Sequence, residues 1–351
     1  MMSRGAKMTT TSPVTTSAHE KPDLRALWGG VAFSFLFTAL IWAAGSRLDA
    51  QPLLPDTGVA WYYWRLPEPT FWSRFTAWGF YIAHQVANWG LIYYAQSRGL
   101  KYTNRLHGVN IAALAVNAGF VILHFVQTHL WYDGLAQDVS IFSSQGSVIL
   151  LLVWVLLMDT PRRGLVWGWK APFPRDILSF ARKYHGFVFS WAVIYTFWYH
   201  PMVATPGHLV GFAYTFLMLV QGSLFLTRIH INKWWMFVQE SVVLAHGALV
   251  AFQQGNNLWP MFAFGFGGIF ILTQMHGLGL SWRVRWVLTA VYVGLALMVY
   301  NGRWAGLNEI IRIPVIEYLA VGVLALLMGG GLWVYRRLKP ASPVSAPQAG
   351  D

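Results

Sequence analysis

The sequence predicts an all-α fold, a polytopic transmembrane helical bundle of about ten spans, and three observations carry that prediction. Of 351 residues, 56% are hydrophobic and only 11% charged, against roughly a quarter charged in soluble domains. Apolar runs close to the ~20 residues that cross ~30 Å of hydrocarbon recur along almost the whole chain. These runs are apolar on every side, as over residues 148–158, whereas a membrane β-barrel alternates in segments of about ten residues.

The elements follow in order. Residues 1–24 are polar and Ser/Thr-rich, with no small-residue cleavage site after the first apolar run, and read as a disordered cytoplasmic tail rather than a signal peptide. Spans are predicted at about residues 27–45, 71–95, 107–131, 146–158, 184–204, 208–227, 235–253, 260–277, 286–300 and 315–335, with the fourth and ninth short. The longest connection, residues 46–69, holds Trp61, Tyr62, Tyr63 and Trp64, aromatics suited to the headgroup level. Residues 339–351 are rich in Pro, Ala and Ser and read as a second disordered tail, which leaves residues 25–338 as a single transmembrane helical domain.

Lys and Arg collect in alternate connections: Arg98, Lys101 and Arg105; Arg162, Arg163, Lys170, Arg175, Arg182 and Lys183; Arg228 and Lys233; Arg283 and Arg285; Arg336 and Arg337. Positive loops stay cytoplasmic, so both termini are expected in the cytoplasm and the protein in the inner (plasma) membrane. The net charge of +12 is therefore topological, and no nucleic-acid partner is expected. Cysteine is absent, which excludes disulfides, thiolate metal sites and cysteine nucleophiles. No Walker A sequence, G-x-S-x-G or H-E-x-x-H is present.

Chemistry is sought in the histidines. Residues 105–129 and 182–208 share one grammar: a basic residue, His-Gly, an apolar span, then further histidines. His107, His185, His230 and His276 are expected near the cytoplasmic face, His124, His129, His200 and His208 near the external face, and His84 and His246 deeper. The rise from His107 to His124 is about 25 Å and from His185 to His200 about 22 Å. If spans three and five run side by side, His107 meets His185 and His124 meets His200, an arrangement that holds two b-type haems by paired imidazoles. The expected function is then movement of electrons across or within the membrane, with the bilayer, a quinone or lipid substrate and an electron-transfer partner around it. At ~100° per residue, His200 lies about 60° from His185, but His124 lies about 100° from His107, a poor fit without a kink near Gly119.

A second constellation places His129 and His208, with His124 and His200, at the outer rim, where imidazoles suit non-haem Fe, Cu or Zn. Glu240 and His246 are candidate catalytic groups, although about 120° apart on one helix. A carboxylate inside a membrane marks a functional site by default, and the bland placement for Glu240 is a pair with Lys233 or Arg228. These residues support two alternatives: a membrane-embedded, His-dependent enzyme acting on a lipid or isoprenoid, or a proton-coupled transporter.

Overall fold

The computed structural model describes residues 24–55, 64–255 and 257–338. Residues 1–23 and 339–351 of the two expected disordered tails, and Trp61, Tyr62 and Tyr63 of the aromatic segment, lie outside the described residues.

The regular structure of the described residues is all helical, with isolated bridges and no strand. The helices are α1 (Arg25–Ala44), α2 (Phe71–Ser97), α3 (Gly108–Trp131), α4 (Ile141–Arg163), α5 (Arg175–Tyr199), α6 (Pro206–Ser223), α7 (Lys233–Gln253), α8 (Trp259–Leu272), α9 (Trp282–Val299) and α10 (Glu309–Leu338). Six of them, α1, α3, α4, α7, α9 and α10, are long and apolar enough to cross a membrane. The other four are shorter or more polar, and α5, the most polar in its first turns, is packed between α2, α4 and α6.

Local sequence sets the helix ends. Thr70, Ser140, Thr205, Asn232 and Ser281 each accept a hydrogen bond from a first-turn backbone N–H of the helix they precede, which satisfies donors that lipid would leave bare. Pro206 opens α6, where its missing N–H costs nothing. Gly164 closes α4 at φ +79°, and a Cβ there would lie 2.3 Å from the Gly168 backbone, so only glycine fits the turn.

The fourth span, expected to be short, is corrected to the 23 residues of α4. Ser144, Gln145 and Gly146 interrupt the apolar run, but Ser147 Oγ donates to Ser144 O and Ser143 Oγ meets Tyr195 Oη at 2.7 Å. The polar groups are absorbed within the bundle, and the helix continues. The short helix is instead α8, with 14 residues.

Consecutive helices run antiparallel. At one end Gln96 Nε2 donates to Lys183 O, Arg182 reaches Met158 O, Trp167 N donates to Leu272 O, Thr103 N to Leu226 O, and Arg336 pairs with Asp176. At the other end Arg74 pairs with Asp133 and Asp138, Leu66 N donates to Gln137, and Tyr300 Oη donates to Glu309. The first end gathers all the basic connections named above and is called the basic rim. Helices α2, α3, α6 and α5 form one ring around a core of Phe197, Trp198, Tyr199, Val121 and Phe216. A second group, α4, α5, α8 and α10, encloses Trp154, Leu157, Ala181 and Val321. Outward-facing Leu36, Leu130, Val287, Met298, Leu326 and Leu327 are exposed, as expected of surfaces that meet acyl chains rather than water.

Candidate functional site

Helices α3 and α5 do not pair along their lengths: α3 packs on α2 and α6, and α5 on α4, α2 and α6. The four histidines expected to hold two haems between these helices are placed as follows. His107 is the residue preceding α3, with Nε2 donating to Lys101 O at 2.9 Å and its own N–H donating to Asn110 Oδ1 at 2.8 Å. It closes a loop rather than facing His185. His124 and His200 are level, as expected, but His124 Nε2 lies 2.8 Å from the His200 backbone carbonyl and Nδ1 lies 3.0 Å from Gln127 Oε1. Neither nitrogen of His124 is open to a ligand.

His84, the deep histidine of α2, is a structural hub. Its Nδ1 accepts from the Trp198 indole at 3.1 Å, which places the proton on Nε2, and Nε2 donates to Asn117 Oδ1 at 2.7 Å. Asn88 donates to the same Asn117 oxygen, and Asn117 Nδ2 donates to Ser223 Oγ at 2.8 Å. Four helices, α2, α3, α5 and α6, are tied by this fully satisfied network.

The outer metal pair is not assembled. His129 Nδ1 donates to Phe125 O on its own helix at 2.8 Å, and its ring packs 4.2 Å from the Phe125 ring. His208 lies instead beside His200, with ring centres 5.4 Å apart, and against Trp64 at 4.6 Å. His246 joins that side of the bundle, its Nε2 3.0 Å from where a Cβ on Gly211 would stand. Among the described residues, no group of three or more His, Asp and Glu side chains is placed to hold a metal ion. Glu240 and His246, the two candidate catalytic groups, have different neighbours. Glu240 accepts from Arg163 Nη1 at 2.8 and 2.7 Å, so its partner is a buried arginine of α4, neither His246 nor the expected Lys233 or Arg228.

What the structure does bring together is His185 and His230. His185 Nδ1 donates to Arg182 O at 2.6 Å, and His230 Nδ1 donates to Gln221 O at 2.8 Å. Each carbonyl fixes the tautomer, leaving Nε2 as the lone-pair nitrogen. Among the described residues neither Nε2 makes a hydrogen bond. The ring centres lie 6.1 Å apart with planes 37° apart. Gln221 holds His230 further: its Nε2 donates to His230 O at 2.9 Å, and its Oε1 accepts from the Trp235 indole at 2.6 Å. Burial, with the His185 ring nearby, depresses the His230 imidazole to about 4 against the opposing Gln221 carbonyl, so it is neutral at physiological pH.

Sequence reasoning put His230 on the same face as His185 but gave it no role, because it precedes α7 in a turn. The usable signal was spacing: 16 positions from His230 to His246 nearly match 15 from His185 to His200. Glu317 on α10 was also missed. It is 3% exposed, and its Oε2 has no hydrogen-bond partner among the described residues. No protein-family model, curated protein or solved structure matches the chain.

Proposed function

We propose that this chain is a membrane haem protein that carries electrons, with one b-type haem between His185 and His230. The observation that supports it is the 6.1 Å separation of two half-buried rings whose Nδ1 atoms are anchored to carbonyls. His185 and His230 would hold the iron through their two Nε2 atoms, since imidazoles that share one metal at bonds of about 2.0–2.1 Å would have ring centres roughly 6 Å apart. The separation suits that ligation. Arg182 and Gln221 orient the two imidazoles through their carbonyls, and the exposed Arg228, two residues before His230, would supply positive charge for carboxylates of the cofactor. Bound there, haem supplies a one-electron couple tuned by its axial ligands and burial.

The proposed topology has all ten helices crossing the bilayer with the basic rim cytoplasmic, since positive connections are retained on that side. Electrons would then be exchanged with a partner or quinone at that rim. Purified from haem-replete cells, the protein should carry about one haem per chain and a Soret band; a colourless protein would overturn the reading.

A second reading, proton-coupled transport, moves from Glu240 to Glu317. An unpartnered carboxylate buried within a membrane helix is costly and suits a proton relay. Proton uptake into liposomes that Glu317→Gln abolishes would favour this reading, and unchanged uptake would remove it.

A further inference from the structure

A cavity of about 390 Å³ opens at the basic rim where the end of α4 meets the start of α9. Its wall carries Arg162, Arg163, Lys170 and Arg285 with the indoles of Trp167 and Trp286, and no carboxylate lines it. Two of the four cations are neutralised from behind: Arg162 by Asp159 at 2.5 Å and Arg163 by Glu240 at 2.7 Å. Among the described residues the Arg285 side chain meets only His276 Nδ1, at 3.2 Å, and its Nε is buried with no hydrogen bond. Lys170 is exposed and makes no ion pair among them. The cavity therefore holds about two uncompensated positive charges beside aromatic surface.

We infer that this cavity binds a phosphate-bearing anion, a role separate from the histidine pair. The geometry favours the headgroup of an anionic phospholipid as the source. Basic pockets between membrane helices on the positive side bind such headgroups, and indoles sit at the headgroup level. Below the cavity mouth, α9 presents exposed Val287, Val291 and Leu295, an apolar track along which acyl chains can run.

The experiment is native mass spectrometry of the full chain in detergent with added phosphatidylglycerol or phosphatidylcholine, with and without millimolar inorganic phosphate. Wild type should retain phosphatidylglycerol at least ten-fold better than phosphatidylcholine. Lys170→Gln, whose ammonium supports no described contact, should weaken phosphatidylglycerol binding roughly five-fold, and Lys170→Gln with Arg285→Gln roughly thirty-fold. Displacement by inorganic phosphate would identify free phosphate as a second source of the same chemistry, and failure to displace would assign the site to lipid alone. Equal retention of both lipids with no effect of phosphate overturns the inference. So does a full preference for phosphatidylglycerol in the double variant that is lost instead in Lys101→Gln with Arg98→Gln, elsewhere on the same rim.

Discussion

One nitrogen of Arg163, Nη1, holds both carboxylate oxygens of Glu240, at 2.8 and 2.7 Å. The arginine is 3% exposed and the glutamate side chain 12%, so this largely buried pair ties α4 to α7. Removing Glu240 leaves Arg163 only Asp159, 3.8 Å from its Nε, a loss smaller than the about 3–5 kcal/mol typical of a wholly unpaired buried charge, whereas an apolar replacement of both members is often neutral. Glu240→Leu is therefore expected to lower the thermal midpoint, and Glu240→Leu with Arg163→Met to recover most of the loss. The comparison is made by unfolding in detergent.

The His84–Asn117–Ser223 chain gives a second expectation. Asn117→Leu deprives His84 Nε2, Asn88 Nδ2 and Ser223 Oγ of a common partner. Each buried group left unsatisfied costs about 1–3 kcal/mol. Asn88 Nδ2 keeps His84 O at 3.1 Å and Ser223 Oγ keeps Leu219 O at 2.7 Å, so only His84 Nε2 is stranded and the variant should lose about 1–3 kcal/mol, while Asn88→Ala, which strands no donor, should cost less.

At the opposite rim, a Cβ on Gly134 would lie 2.5 Å from the Tyr199 carbonyl oxygen and 2.9 Å from its carbon. Backbone cannot swing aside as a side chain can. Gly134→Ala should destabilise by about 1–3 kcal/mol, the usual range for forced overpacking, whereas Gly146→Ala, where no atom lies within 4 Å, should be neutral or slightly stabilising.

Gln221 provides a prediction specific to the proposed haem. Its side chain locks the turn that carries His230, and loss of groups that orient a metal ligand typically lowers affinity about 10–100-fold. Gln221→Leu should release haem at a lower chelator or apomyoglobin concentration than wild type, with the helical content retained.

Much of the architecture was legible because lipid imposes a local rule: each crossing helix must be apolar over its own length, and Lys and Arg must collect at one rim. Those signals are written in single stretches of sequence. The histidine pairing was not legible, because it depends on which helices touch. The sequence shows that His124 and His200 are level, but not that the chain turns at Pro201 so that the His200 carbonyl, rather than its ring, meets His124. Similarly, Glu240 reads as a lone charge on α7, and its partner lies 77 positions earlier, beyond any helical periodicity. The poor angular fit of His124 to His107 was the one local warning, and the structure answers it by giving each of them a different neighbour.

The most direct test compares reduced-minus-oxidised absorption spectra of wild type, His230→Gln and His107→Gln, purified in parallel from haem-replete cells. The account predicts a low-spin haem band in wild type, its persistence in His107→Gln and its loss in His230→Gln. A band that survives His230→Gln and disappears in His107→Gln would contradict it.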